Sequence, residues 1–346
     1  MLYDKMTYEL QTREHAFHYG FSSFYNGLKI VVDKIAKCPK FVLDEQATYT
    51  IESLGDSRPS QFVAGLNLCR LPYPTIWIEF PFAARSKYRV TTDPKRYEHS
   101  DIAPEPKTVG FLMERMDKYP GGENKIAVTL AWNHADGSVN ISMFGMLMDL
   151  DASVKRSTIT EIPDSVRKDL LERHPVSWMA QYAWADKEVF AHLELEARIV
   201  SAFCPYSDEY RLDCCKPLKS IPGAVEAFEK QMLFDIQGEW RTVLSFLMAI
   251  NSKNFIGYKD VDRSKISKNR VKRGKPPAPD YKEIVLKLSK VQYNRLNFNK
   301  ARGLPDNSID VRAHLKVRKT GIFLWNEHKR YKELPDKPPP IYKVKP

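Results

Sequence analysis

The chain has 346 residues, of which 43% are hydrophobic and 12% aromatic, and its formal net charge at pH 7 is +11. This length and composition suffice for about two domains, or for one large α+β domain with appendages. No apolar run approaches the roughly 20 residues of a membrane span, and residues 1–12 are polar and mixed in charge, so we expect neither a membrane helix nor a signal peptide.

The first predicted element is helical and covers residues 8–36. Its apolar residues recur at steps of three and four, which is the spacing of one buried helix face. They are Phe17, Phe21, Phe24, Leu28, Val31, Val32 and Ile35. Gly20 and Gly27 allow a break into two helices, and Pro39 ends the segment because proline cannot continue the hydrogen-bond ladder.

An antiparallel β meander is predicted for residues 75–150. Aromatic and β-branched runs are typical of strands, and they cover residues 75–80, 108–113, 125–132 and 138–147. Asp136-Gly137 lies between the last two runs and indicates a hairpin turn. Residues 85–107 carry several prolines and charges, so they are predicted to form an exposed loop.

Helices are predicted again in the middle of the chain, from Pro163, over residues 186–203 and over residues 238–251. The last of these has a broad apolar stripe and should be deeply buried. Strands followed by helices, without regular alternation, favour an α+β fold over a parallel doubly wound sheet.

Positive charge is concentrated in the C-terminal third. Residues 251–346 hold 25 Lys and Arg against 9 Asp and Glu, a net charge of +16, whereas residues 1–250 have a net charge of −5. We therefore divide the chain into four segments. They are an acidic α+β body (1–251), a basic flexible arm or loop (252–280), a basic β-hairpin segment packed on the body (281–333) and a Pro/Lys-rich tail (334–346).

Two sets of basic residues in this third are candidates for binding nucleic acid, because concentrated positive charge attracts polyanions. The arm contributes Arg263, Lys265, Lys268, Arg270, Lys272, Arg273 and Lys275. The hairpin segment contributes Arg312, His314, Lys316, Arg318, Trp325, His328 and Arg330. On a strand the first four of these hairpin residues would share one face, with Trp325 or Phe323 as a stacking partner for a base. The alternative is an ordinary solvated hairpin face.

Sequence motifs of common enzymes are absent. The chain has no phosphate-binding glycine loop, dinucleotide-binding fingerprint, zinc-protease helix or serine-nucleophile elbow. Five cysteines without regular spacing argue against a disulfide framework or a zinc site and favour a reducing cytoplasm. Asp149 and Asp151 could be paired catalytic carboxylates, but an ordinary strand end is the better interpretation. We expect no cofactor and no metal.

The order of features over residues 240–330 resembles that of a group of phage and prophage proteins. A buried helix precedes the basic arm, and an Arg-x-His-x-x-Val-Arg block (312–318) and a Gly-x-x-x-Trp-x-x-His block (321–328) follow it. The group includes the type V-A anti-CRISPR protein that blocks synthesis of the CRISPR effector nuclease. The resemblance implies an anti-defence role, with a nascent peptide or a defence protein as a further partner. This chain departs from the usual pattern at Lys319 and at Lys329.

The sequence therefore predicts a cytoplasmic, phage-encoded accessory protein without intrinsic catalysis. It would engage RNA or a translating ribosome through its basic third, without a membrane partner. One alternative is an RNA nuclease that uses His314 or His328 as acid or base and Arg312 or Arg318 to stabilise the transition state. Another is a protein-interaction module whose basic third faces an acidic partner.

Overall fold

A computed structural model describes most of the body and parts of the C-terminal third. The described residues are 1–12, 22–55, 59–85, 106–117, 124–142, 144–152, 164–165, 168, 189–191, 193, 199–203, 215–228, 239–252, 256–274, 277, 281–286, 308–311, 314–318, 321–325 and 328–331. The predictions for residues 13–21 and 86–105, and most of those for residues 153–198, lie outside these ranges.

A mixed sheet of nine strands forms the centre of the described part of the chain. Its strands are β1 (Lys40–Leu43), β2 (Thr75–Pro81), β3 (Pro106–Arg115), β4 (Lys125–His134), β5 (Val139–Ile141), β6 (Gly145–Asp149), β7 (Ile199–Phe203), β8 (Ile256–Val261) and β9 (Tyr281–Leu286). They lie in the order β7-β6-β4-β3-β2-β1-β9-β8, and β5 pairs with β4. Strand β1 is parallel to β2 and β9, whereas the other pairs are antiparallel.

Helices cover both faces of this sheet. Those with defined bounds are α1 (Leu2–Thr12), α2 (Ser22–Lys37), α3 (Glu45–Gly55), α4 (Pro59–Val63), α5 (Trp240–Asn251) and α6 (Ser264–Lys272), and short 3-10 turns occupy Leu66–Leu68 and Lys216–Leu218. Helices α3 and α5 pack on one face, and α1 and α2 pack on the other. The fold is α+β, as predicted, and it has three layers around two apolar clusters.

The central strands have a nearly continuous apolar sequence because both of their faces are buried. In β2, Ile76, Ile78 and Phe80 belong to the cluster beneath α3 and α5. Trp77 belongs to the cluster beneath α1 and α2. This alternation follows from the two-residue period of a strand, and two covered faces explain why few polar residues interrupt it.

A close approach between β2 and β3 requires a glycine. A Cβ atom placed on Gly110 would lie 2.2 Å from ring atoms of Trp77. Because the ring is fully buried, it has little room to move away. Gly110 therefore allows the largest buried aromatic side chain to lie across the neighbouring strand.

Several predicted elements of the body are confirmed. Strands β2, β3, β4 and β6 form the antiparallel meander. The hairpin at Asp136-Gly137 is present, and Gly137 has a φ of +89° that glycine adopts at little cost. Helix α5 is buried along nearly its whole length. The N-terminal segment is helical over α1 and α2, α1 begins six residues before the predicted start, and Gly27 lies within α2 and does not break it.

The prediction of a flexible arm or loop over residues 252–280 is wrong for two parts of that segment. Residues 256–261 form β8, which pairs with β9, and residues 264–272 form α6. Strand β9 itself lies between β1 and β8, so the sheet continues across the boundary predicted at residue 251. Pairing between distant strands satisfies backbone hydrogen bonds there, which the local composition could not reveal.

Two further predictions differ from the structure. The helix predicted over residues 186–203 is wrong at its end, because residues 199–203 form β7 on β6. Strand β1 was not predicted at all, since a four-residue apolar run resembles many loop segments. Both strands are short, and their partners on the sheet decide their conformation.

The C-terminal region adds two small two-stranded sheets. Their strands are β10 (Ser308–Val311), β11 (His314–Arg318), β12 (Gly321–Trp325) and β13 (His328–Tyr331). Strand β11 pairs with β12 and β10 pairs with β13, both antiparallel. The β11–β12 pair confirms the predicted hairpin. Its Cα atoms come within 8 Å of those of α4.

Candidate nucleic-acid interface

Helix α6 carries most of the basic residues that were predicted to lie in the arm. Its first turn is fixed by Asp262, whose Oδ1 accepts the Ser264 backbone N–H at 2.7 Å and whose Oδ2 accepts the Ser264 hydroxyl at 3.1 Å. These hydrogen bonds lower the pKa of Asp262 below its ordinary value. Side-chain oxygens that accept backbone N–H groups are a common start signal for helices.

The end of α6 is defined by a glycine. The N–H of Gly274 donates to the carbonyl of Val271 at 3.0 Å. Gly274 has a φ of +67°, the left-handed conformation in which helices commonly terminate. A start signal and a stop signal therefore bracket a nine-residue helix that buries no residue.

Three lysines of α6 form a stripe on the side that faces away from the protein. Lys265, Lys268 and Lys272 are separated by three and four residues, so they lie on one helix face, and all three are exposed. Ser267 and Arg270 lie on the opposite side and are half-buried. We call Lys265, Lys268 and Lys272 the lysine stripe.

In the described part of the chain, the three ammonium groups of the stripe and the exposed Arg273 form neither a hydrogen bond nor an ion pair. The charge of Lys268 does act on Asp262, whose pKa it helps to lower. From Lys265 to Lys272 the helix rises about 10 Å. Along one strand of a DNA duplex, the phosphates are about 3.4 Å apart along the helix axis. The stripe is therefore about as long as three such spacings.

Arg263 occupies a different environment from the stripe. Its Nη1 lies 3.0 Å from Oδ2 of Asp4 in α1, and both side chains are only 15% exposed. Arg270 also has a partner within the protein. Of the predicted arm residues, Arg263 therefore attaches α6 to α1, and Lys275 lies outside the described residues.

The predicted hairpin residues are placed by their backbone register. His314 pairs with Trp325, Lys316 with Phe323, and Arg318 with Gly321. His328 and Arg330 lie in β13, opposite Val311 and Ile309. Arg312 lies outside the described residues. The register brings the position of His314 beside that of Trp325, while the stacking role of Trp325 stays a prediction.

The acidic pair Asp149 and Asp151 is a strand end. Oδ1 of Asp149 accepts the Asp151 backbone N–H at 3.0 Å. Asp151 in turn forms an ion pair with Arg70 at 2.7 Å and a hydrogen bond with Asn124. Across the described ranges, no group of three or more His, Cys, Asp or Glu side chains is placed to hold a metal ion.

A buried ion-pair network that the sequence did not reveal joins three elements. Nε of Arg85, just beyond β2, lies 3.3 Å from Oε1 of Glu52 in α3, and its Nη1 lies 2.5 Å from Oε2 of Glu239 at the start of α5. The Thr242 hydroxyl donates to Glu52 at 2.8 Å. Arg85 is 1% exposed, so this network ties both helices of one layer to the sheet.

A second unpredicted group lies on the other face of the sheet. Glu79 is 2% exposed, and its carboxylate accepts the Leu2 backbone N–H at 3.1 Å and the Trp77 indole N–H at 3.1 Å. Burial raises the pKa of Glu79. A carboxylate at a helix N-terminus is favoured by the helix dipole, so Glu79 anchors α1 to the middle of β2.

Lys40 makes the corresponding contact at a helix C-terminus. Its Nζ donates to the carbonyls of Cys38 at 3.0 Å and Ala36 at 3.4 Å, at the end of α2, and burial lowers its pKa. Buried charged residues are rare on a sheet. The buried charges of Glu79 and Lys40 are explained by their positions beside helix ends. No sequence motif marks these positions.

No family model matches this chain, and no curated protein matches it either. The resemblance of residues 240–330 to the anti-CRISPR-related phage proteins therefore stays a prediction. Among the described residues, no helix has both the length and the apolar character needed to cross a membrane.

Proposed function

We propose that this protein binds RNA, free or on a translating ribosome, through its basic C-terminal third. The observation that carries the proposal is the lysine stripe, since three exposed ammonium groups lie in one row on a helix that buries nothing. Exposed ammonium groups that form no ion pair remain accessible to a polyanion. They attract phosphates because binding releases the condensed counterions of the nucleic acid.

The expected mode of recognition is contact with the phosphate backbone. Lysine ammonium groups bind phosphates as point charges, and phosphate contacts carry no sequence information. Any base preference would come from the hairpin segment, where the position of Trp325 lies opposite that of His314. The protein would then act as a binding protein that recruits or blocks other machinery.

The biological setting is a separate part of the proposal. The order of motifs over residues 240–330 resembles that of phage anti-defence proteins, which favours a role in the host cytoplasm during infection. In that setting the bound RNA would be a defence message or the ribosome that translates it. The acidic body, with a net charge of −5 over residues 1–250, would be available for a protein partner.

The test is the salt dependence of binding to a labelled, unstructured RNA. If Lys265, Lys268, Lys272 and Arg273 each neutralise one phosphate, log Kd should change with log salt concentration with a slope of about 2.8. Changing the stripe to Lys265→Gln, Lys268→Gln and Lys272→Gln should weaken binding and reduce that slope to about 0.7.

A matched control separates the stripe from total charge. The triple change Lys29→Gln, Lys37→Gln and Lys219→Gln removes the same charge from exposed lysines elsewhere and should leave the slope nearly unchanged. Equal effects of both triple variants, or binding that does not depend on salt, would contradict the proposal. Shortening of the RNA with time that His314→Ala and His328→Ala abolish would favour the nuclease alternative.

A further inference from the structure

We propose that the ion pair between Asp4 and Arg263 is a positioning device that holds α6 in the orientation in which its lysine stripe faces outward. This inference rests on the proposed function of the stripe. Neither residue would touch the RNA. Asp4 would act through Arg263, and Arg263 would act through the first turn of α6.

The contact is well suited to hold a helix. Nη1 of Arg263 lies 3.0 Å from Oδ2 of Asp4 and 3.4 Å from Sδ of Met1, and both charged side chains are 15% exposed. The Met1 backbone nitrogen lies 3.5 Å from the same carboxylate oxygen. Because the pair is partly buried, salt screens its attraction less than it would screen that of an exposed pair.

Arg263 is also the residue that immediately precedes α6, at its N-cap. Its carbonyl accepts the Ser267 N–H at 2.8 Å, which is the first hydrogen bond of the helix. Its guanidinium and its carbonyl therefore join α1 to the first turn of α6. Because α6 has no buried residue, apolar packing contributes little to this orientation.

The other end of the connection is fixed in the core. The N-terminus of α1 is held by the carboxylate of Glu79, and Leu2 and Met6 of α1 are buried in the second apolar cluster. A continuous path of contacts thus runs from β2 through Glu79, α1 and Asp4 to Arg263. Asp4 is partly buried in this path, and its second oxygen, Oδ1, has no hydrogen-bond partner among the described residues.

Positioning and simple electrostatics predict opposite signs for one substitution. Asp4→Ala removes a negative charge near a row of cations, so electrostatics alone would tighten the binding of a polyanion. If the ion pair holds α6, the same change lets the helix adopt other orientations, and ordering it again on binding weakens affinity. The expected net effect is a weakening of about two- to fivefold, typical of losing one partly exposed ion pair.

The experiment measures RNA affinity and backbone hydrogen exchange for the full chain and three variants. Asp4→Ala should weaken binding and speed exchange over residues 264–272. Asp33→Ala removes an equal charge from an exposed position on α2 and should do neither. The exchanged pair Asp4→Arg with Arg263→Asp keeps the net charge and should restore both binding and slow exchange relative to Asp4→Ala.

Tighter or equal binding by Asp4→Ala, with unchanged exchange in α6, would overturn the positioning role. If the unmodified protein binds no RNA, the proposed function has failed, and the exchange measurement still decides the inference. If hydrogen exchange in α6 is faster in Asp4→Ala but not in Asp33→Ala, the result would support the inference that the ion pair orders this helix. Unchanged exchange would overturn it.

Discussion

The charges of the sheet layers and the charges of α6 occupy opposite environments. Arg85, Glu79 and Lys40 are buried, and each has partners at a helix end or on a helix. The lysines of the stripe are exposed and form no ion pair in the described part of the chain. Buried charges must be paired because desolvation is costly, whereas exposed charges can remain available for a ligand.

This difference separates residues that maintain the fold from residues that could bind. Removing a buried charge should destabilise the protein and change binding only indirectly. Removing a stripe lysine should change binding and leave the free energy of unfolding nearly unchanged. Five substitutions test this separation, and they are given in decreasing order of expected effect.

Arg85→Met should be the most destabilising of them. It leaves the carboxylates of Glu52 and Glu239 buried without their cation, and breaking a buried pair costs about 3–5 kcal/mol. Urea unfolding followed by circular dichroism would measure the loss. Adding Glu52→Gln and Glu239→Gln to the variant should recover much of it. A loss no larger than that of an exposed lysine would contradict the separation.

Gly110→Ala should come next, at about 1–3 kcal/mol, because the added methyl group overlaps the buried Trp77 ring. Gly137→Asn is the matched control, since a Cβ there meets nothing within 4 Å and asparagine tolerates a positive φ. Thermal unfolding of both variants would compare them. Equal stability of the two would show that the Trp77 ring yields easily.

Glu79→Gln should change how stability depends on pH. Burial raises the pKa of Glu79 above the ordinary 4.5, so the folded protein binds the proton more tightly than the unfolded chain. The wild-type free energy of unfolding therefore falls, through this group, as pH rises from about 4.5 through the raised pKa. The variant lacks this fall, so its stability relative to wild type should increase with pH.

For Asp136→Asn, the stability of the variant relative to wild type should change with pH in the opposite direction. Hydrogen bonds from the Ser138 hydroxyl and backbone N–H lower the pKa of Asp136 below 3.8, so its contribution is present above pH 3.8 and is lost as pH falls through the lowered pKa. Measurements of the free energy of unfolding at pH values from below 3.8 to above the raised pKa of Glu79 would cover both variants. The same direction of change in the two would contradict the assigned causes.

Asp262→Ala should have the smallest effect on global stability and the most local one. It removes the acceptor for the Ser264 N–H, so the first turn of α6 should fray. Hydrogen exchange should quicken over residues 264–272 while the urea midpoint stays nearly constant. A large fall in the midpoint would mean that α6 belongs to the cooperative core, contrary to its exposure.

The regular parts of the body and the location of the basic charge could be predicted from the sequence. The meander, the Asp136-Gly137 turn and the buried helix α5 depend on local alternation, turn chemistry and helical spacing, which a sequence displays directly. The concentration of Lys and Arg after residue 250 is likewise a property of composition. These features need no knowledge of distant partners.

The way the chain folds in space explains which of the unpredicted short segments join the sheet and which charges are paired. Strands β1 and β8 exist because neighbouring strands satisfy their backbone hydrogen bonds. Arg263 differs from Lys265 because Asp4 lies beside it, although both are basic residues of one segment. Contacts across more than 250 residues of sequence depend on how the chain folds in space, and local composition does not encode them.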